Sequence, residues 1–562
     1  MRGLKPGWLL AVIAGNMLSA CSPSKPTGDD GDSGHSAGNP PSAYVEQEAG
    51  KPGGTLNVVS PRDLSTIDLQ RTGGPRNGWY GRILFDCLVY LDEQGRIQPW
   101  LAKSWTVSPD GKTYTFHLRD DVSFSDGTKF NAEAARINLA RIRDPATKAA
   151  VTTSYIEPYI DGKVIDEYTF QANLRERHEP FLHVLALSIF GMYSPKQIIE
   201  APQTLTEAPI GSGPFVIEKY KRQEGISFVR RKDYHWAPPY IRHKGPAYLD
   251  RIDVKFVPEA IVSASALQSG QFDMSVDAQP QLATSIRGNS DFVFSSRILR
   301  GNPSQGPVFN TQKEPFSDLR LRLAFAYAVD REGLVQMKGF GALPVKTDYL
   351  SSKTEHYDPT CDGALRYDPA AANRLLDEAG WTGRDKEGYR TKDGKRLTAE
   401  VLLSAATATA DIPAIQSDVK KVGIEITIAQ LPPLDLAARR YNGNYQMLGA
   451  LSLHTNTPDA LYIFFHSSQI PSDTQISSNS SRLRDSQLDE LLAKARGSND
   501  PALLKELYSK AQHRLLELVP SVPLNENTVI VAYNKNRIKG VIYDTSHDLP
   551  FLIAAWLNVK KL

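Results

Sequence analysis

PFSDLRLRLAFAYAVDREGLV, residues Pro315 to Val335, is the stretch whose reading decides the fold. Ser317 or Asp318 supplies a short side-chain oxygen that can accept the free N–H groups of a first helical turn. Leu319, Leu323 and Tyr327 recur at i, i+4 and i+8, and Leu321, Phe325 and Ala328 widen that apolar face. Asp330 offers a second cap, so another helix is expected from Arg331 onward, at an angle to the first. Just upstream, Gly306 to Asn310 reads as a short strand arriving from elsewhere. Two readings stand at this point: a buried helix–turn–helix corner, or the place where the chain leaves one lobe and begins another.

The chain has 562 residues, too many for one hydrophobic core, so two or three domains are expected. Apolar residues make up 41% and charged residues 23%, an ordinary balance for a soluble globular protein. Lys and Arg number 65 against 63 Asp and Glu, a formal charge of +2. A nucleic-acid partner would need a basic excess gathered on one face, and none is visible.

Before the folded body, Arg2 and Lys5 precede the apolar run Trp8 to Ala14, too short to span a bilayer. The run leads to Leu18-Ser19-Ala20-Cys21, so residues 1–21 read as a secretory signal. Ser22 to Gly50 is rich in Ser, Gly, Pro and Asp, a composition unable to bury enough apolar surface to offset its ordering entropy. It is expected to be a flexible tether. Cys87 and Cys361 lie on opposite sides of the opening corner and are read as free thiols, because a bridge between them would lock any hinge there.

From Gly54 on, strands and helices alternate to the C-terminus, which predicts α/β architecture throughout. Strands are read at Gly54–Val59, Val164–Leu174, Gly211–Ile217, Tyr248–Phe256, Leu397–Leu403 and Gly423–Ile428. Helices are read at Trp79–Val89, Ala132–Ile142 behind an Asn131 cap, Pro180–Phe190, Ala260–Gly270, Ala370–Ala379, Ile412–Val422, Leu488–Ala495 and Pro501–Leu518. Pro523–Tyr533 and Phe551–Val559 read as extended.

Catalytic motifs fail on inspection. Gly111-Lys112-Thr113 resembles the end of a phosphate loop, but Thr106 stands where its first glycine is needed. Gly211-Ser212-Gly213 lacks the spacing of a nucleophile elbow. The 11 histidines form no H-E-x-x-H, His178-Glu179 stands alone, and no cysteine pair has metal-ligand spacing. Triads assembled from distant residues remain open. The expectation is a protein that is not an enzyme and uses no cofactor.

Several stretches together resemble the extracellular solute-binding proteins of peptide/nickel-type ABC importers. They are Trp100–Trp105, Thr113–Arg119, Phe124–Thr128, Gly211–Phe215, Ala266–Gly270, Tyr367-Asp368-Pro369 with Leu375–Gly380, and above all the opening stretch. The tetrad ending at Cys21 resembles a bacterial lipobox, with Cys21 as the lipidated residue. The resemblance implies a two-lobed periplasmic-binding-protein fold (type II, cluster C-like) that closes over its ligand by a hinge. Lobe I would combine 51–90, 209–306 and 525–562, with a subdomain 91–208 inserted. Lobe II would run over 307–524. The protein would be a monomer held to the membrane only by its lipid, outside the cytoplasm, and its partner an ABC permease.

Arg119, Asp126, Gly127, Asp330 and Arg331 read as turn, cap and salt-bridge residues. Candidate ligand contacts come from less regular stretches: Thr72, Gly73, Trp79 and Tyr80; Asn302 and Phe309; Tyr441, His454 and Asn456. In peptide-binding relatives an aspartate near the last of these neutralises the ligand's amino terminus. Here His454 stands at that place and Asp459 follows Pro458. His454 is either a metal ligand or anion partner, or a packed histidine. The implied ligand is a peptide or peptide-like solute, with a nickel–chelator complex, opine or siderophore-like molecule as the alternative. A secreted hydrolase or surface chaperone is the remote one.

Overall fold

The computed structural model describes residues 49–64, 66–72, 74, 77–303, 305–405, 411–450, 455–472 and 477–558. The proposed signal, Cys21, nearly all of the tether, Gly73 and His454 lie outside them. Three sheets organise these residues. The largest has seven strands in the order Phe292–Ile298, Thr528–Asn534, Met274–Val276, Thr55–Ser60, Arg251–Phe256, Gly225–Arg230 and Phe215–Lys221. Its central strand, Thr55–Ser60, runs parallel to both neighbours, with Thr55 opposite Arg251 and Val58 opposite Met274. Leu56, Val58 and Val59 are wholly buried there, as expected for a strand covered on both faces.

The second sheet has four strands, Pro307–Phe309, Met447–Ala450, Thr398–Ser404 and Glu425–Leu431. Thr398–Ser404 pairs in parallel with Glu425–Leu431, and the helix between them, Asp411–Lys421, makes the connection such a pair requires. The third sheet is antiparallel, in the order Ala102–Val107, Thr113–Leu118, Thr169–Leu174 and Tyr159–Asp166, with the helix Ala132–Arg143 packed on it. That helix starts at Asn131, whose Oδ1 accepts from Ala134 N at 3.0 Å.

The opening stretch forms the two expected helices, Leu319–Ala328 and Arg331–Gly339. Asp318 caps the first by accepting from Arg320 N (2.9 Å), and Asp330 caps the second by accepting from Gly333 N (3.0 Å). The inward face differs from the sequence reading. Leu319 is exposed and Leu323 and Tyr327 are only half-buried, while Leu321, Ala324, Phe325 and Ala328 are buried. The cause is Arg322, which points inward to donate to Phe316 O (2.7 Å) and to Leu518 O from Nε (3.0 Å) and Nη2 (2.8 Å). Arg331 is also buried and is no salt-bridge residue among the described ones. It donates to Pro523 O (2.7 Å), Ala326 O (2.8 Å) and Val329 O (3.2 Å). Burial pulls its pKa down to about 10.

Other expectations are corrected. The helix placed at Trp79–Val89 spans Asn77–Leu84, because the next turn is broken by buried Asp86, which accepts from Trp236 Nε1 (2.9 Å) and Tyr234 OH (3.0 Å). The single strand placed at Val164–Leu174 is a hairpin of Tyr159–Asp166 and Thr169–Leu174, turned where Asp166 accepts from Tyr168 N (2.9 Å). Pro180–Phe190 is a short helix, Phe181–Leu185, followed by a tight turn at Ser188–Phe190. Phe551–Val559 is interrupted by a turn at Leu552–Ala554. The strand Gly225–Arg230 and the helix Pro433–Asn442 were not expected at all. Cys87 and Cys361 are both free and buried. Among the described residues no helix is long and apolar enough to cross a membrane.

Candidate functional site

Two antiparallel segments run between the seven-stranded and four-stranded sheets. One goes outward from Ile298 to Phe309, and the other returns from Val519 to Thr528. Backbone bonds stitch them at Leu299 N to Asn527 O (2.9 Å), Leu524 N to Gln305 O (2.8 Å), Val522 N to Pro307 O (2.9 Å) and Phe309 N to Pro520 O (3.1 Å). A third segment joins from the side, with Lys346 N donating to Leu524 O (3.0 Å) and Glu526 N to Pro344 O (3.0 Å).

Four short pieces meet beside this crossing: Gly301-Asn302, Ser351–Thr354, Thr455–Thr457 and Asn525–Asn527. Thr455 Oγ1 lies 2.9 Å from Gly301 O, Gly301 N donates to Thr354 Oγ1 (2.9 Å), and Ser351 N donates to Asn302 O (3.0 Å). Ser352 N donates to Glu526 Oε1 (3.1 Å), and Asn527 Nδ2 to Asn302 Oδ1 (2.9 Å). Gly301 has φ +60, and a Cβ there would sit 2.4 Å from Asn456 N, so only glycine permits the approach. Asn456 itself holds φ +67, a left-handed conformation that asparagine tolerates better than most residues.

This junction concentrates buried polar atoms that have no hydrogen-bond partner. They are both amide atoms of Asn456, Thr457 Oγ1, Asn525 Oδ1 and Glu526 Oε2. Each such atom costs roughly 1–3 kcal/mol if left unpaired, so these five call for partners from water or from a ligand. Lys346 lies 2.9 Å from Asp348 Oδ2, 3.5 Å from Asp362 Oδ1 and 3.7 Å from Glu526 Oε1, so one ammonium faces three carboxylates. Burial raises Asp348 to about 6, against the pull of Lys346. The arrangement can accept a cationic group and offer a carboxamide to a peptide unit.

The sequence-derived candidates are placed as follows. Asn456 and Asn302 are both at the junction, but the Asn302 side chain is spent on Asn527 and on Arg300 O (3.1 Å). Phe309 is fully buried against Phe316 and Phe325, with ring centroids 4.4 and 5.3 Å away, and belongs to the core. Trp79 and Tyr80 are buried on the helix Asn77–Leu84, Tyr80 near Phe228 of the large sheet. Thr72 Oγ1 accepts from Asn77 Nδ2 (2.8 Å) and fixes the turn into that helix. Tyr441 is half-buried, its ring 5.9 Å from the Arg440 guanidinium. Sequence reading missed Glu526, Asn525 and Lys346. Their buried state comes from partners up to 180 residues away, and no local pattern announces it.

Asp459 is no spare counter-charge. It is buried and pairs in bidentate fashion with Arg496 (2.9 and 2.8 Å), whose guanidinium stacks over Tyr462 at 3.6 Å. A triad-like set also occurs in the interior: Ser188 Oγ lies 3.5 Å from His547 Nε2, and His547 Nδ1 lies 2.8 Å from Asp544 Oδ2. Ser188 Oγ, however, donates to Gly78 O (3.0 Å), and the His547 ring lies so close to Gly78 that a Cβ there would meet it at 2.0 Å. All three side chains are buried, and a substrate carbonyl has no approach to this serine.

The sequence profile of bacterial extracellular solute-binding proteins, family 5 (middle region), matches residues 96–472. The chain is 27% identical to the nickel-binding periplasmic protein of Escherichia coli over 477 residues, covering 84% of this chain and 88% of that one. It is 28% identical to di/tripeptide-binding protein 3 of Pseudomonas aeruginosa, covering 81% and 86%. Its fold matches the ABC transporter-associated periplasmic binding protein of Helicobacter pylori, solved with the peptide STSA. That match has a TM-score of 0.76 and 23% identity, over 91% of this chain and 99% of that one.

Proposed function

Because the chain belongs to the bacterial extracellular solute-binding proteins, family 5, we propose that it captures a peptide or peptide-like solute outside the cytoplasm and delivers it to the permease of an ABC importer. The lobes are drawn as 51–90, 209–306 and 525–562 for the first, 307–524 for the second, with 91–208 as an inserted subdomain. The segments crossing at Ile298–Phe309 and Val519–Thr528 are the hinge between them. Ligand contacts present only in the closed form would shift the open–closed balance. Cys21 carries the lipid, and residues 22–50 tether a monomer to the membrane face.

The observation that carries the peptide reading is the unpaired set at the junction, with Glu526 Oε2 and the Asn456 carboxamide beside a surplus of carboxylates. A ligand ammonium there finds the counter-charge that Asp459, committed to Arg496, does not supply. Calorimetric titration of the full chain with di- and tripeptides tests it. One equivalent is expected to bind, and N-acetylation of the peptide is expected to weaken binding at least tenfold. In Glu526→Gln that difference should largely vanish. Equal affinity for free and acetylated peptides in the wild type would refute the assignment of Glu526.

A second reading, a nickel–chelator complex, is favoured by the nickel-binding relative and by His454, two residues before Asn456. It requires nickel with a small chelator to raise the melting temperature in the wild type and not in His454→Ala.

A further inference from the structure

The turn Pro359–Cys361 follows Asp358 and packs against the helix Pro501–Leu518. None of its residues belongs to the junction described above. It brings together a carboxylate, a thiol and an imidazole, with one ligand atom each of Asp358, Cys361 and His513 lying within 4.8 Å of the other two. Asp358 Oδ2 and His513 Nε2 are 3.3 Å apart. Two ligands each about 2.0 Å from a tetrahedral ion stand about 3.3 Å from one another. A charge-assisted hydrogen bond would close to about 2.7–2.9 Å. The separation suits two ligands of one ion as well as an ion pair, and Thr360 Oγ1 lies 3.1 Å from the same His513 Nε2.

The surroundings are arranged as around a metal ligand. Ser509 Oγ donates to Asp358 Oδ2 (2.5 Å), while Thr360 N and Oγ1 donate to Oδ1 (3.0 and 2.7 Å). Such outer partners fix a ligating carboxylate in one orientation. The ring of His513 is half-exposed and gives a cation a way in. Cys361 is buried and forms no disulfide.

We propose that Asp358, Cys361 and His513 form a three-ligand site for a divalent cation of the zinc class, with water completing a tetrahedron. One oxygen, one nitrogen and one sulfur donor select borderline ions over magnesium or calcium. On binding, the Cys361 S–H bond breaks, an S–metal bond forms and the proton leaves to solvent. No electron is transferred. The ion ties the turn at Pro359–Cys361 to the helix carrying His513, so it stabilises the folded chain by mass action.

The full chain, freed of metal by a chelator and kept reduced, is titrated with Co²⁺ while the thiolate-to-cobalt charge-transfer absorption is followed. One equivalent is expected, with the band lost in Cys361→Ser. His513→Ala, a substitution at a half-exposed helix position, is expected to lower Co²⁺ affinity at least tenfold. The proposal is overturned by the absence of the band in the wild type, by a band of full strength in Cys361→Ser, or by unchanged affinity in His513→Ala. Peptide titration of the same two variants should match the wild type, so failure of this site and failure of the capture reading are distinguishable.

Discussion

Asp459 shows how one residue's environment decides what it can do. The aspartate follows Pro458, three residues after Asn456, yet both its oxygens are held by Arg496 at 2.9 and 2.8 Å in a buried setting. Removing one partner of a buried pair strands the other charge, which costs about 3–5 kcal/mol. Asp459→Ala is therefore expected to lose about that much stability by urea unfolding. Peptide affinity at saturating folded protein should be unchanged. A loss below 1 kcal/mol would mean that Arg496 finds water or another partner. Glu526 is the opposite case: one oxygen is satisfied by Ser352 N and Lys346, and the other is left open.

Among elements, Gly301 sets a close approach at the junction. Its φ of +60 and the 2.4 Å that would separate a Cβ from Asn456 N leave no room for a side chain. Gly301→Ala is expected to push the Thr455–Thr457 segment away and weaken peptide binding at least tenfold. Thermal stability should fall as well, because both strain and a lost contact act at once. Unchanged affinity would show that this approach does not shape the pocket.

The same scale shows what was legible in the sequence. Helices with a short polar cap and a clear stop were readable: Asn131, Asp318 and Asp330 each cap where they were expected. The hairpin at Glu167-Tyr168 was not, since neither glycine nor proline marks that turn and only Asp166 signals it. The inward face of Leu319–Ala328 was misjudged because apolar spacing cannot reveal a buried arginine. Arg322 is inside because it serves the carbonyls of Phe316 and of Leu518, the latter 196 residues on. Of the candidate contacts, Asn456 lies at the junction with an unpaired carboxamide, whereas Phe309 was chosen for its place near the crossing and packs into an aromatic core.

At the scale of the whole molecule, the opening corner and the return crossing are one mechanical unit. Arg322 and Arg331 hold the carbonyls of Leu518 and Pro523, so the helices that begin the second sheet's region grip the segment that leads back to the first. In the proposed hinge, two paired segments with such anchors would bend without losing their register. Capture then depends on groups that only a ligand satisfies, and native mass spectrometry of the full-length protein from its own cells reads this directly. The account predicts one organic molecule with the mass of a short peptide per chain, at clearly lower occupancy in Glu526→Gln. A metal–chelate isotope pattern in its place, or equal peptide occupancy in both proteins, would contradict it.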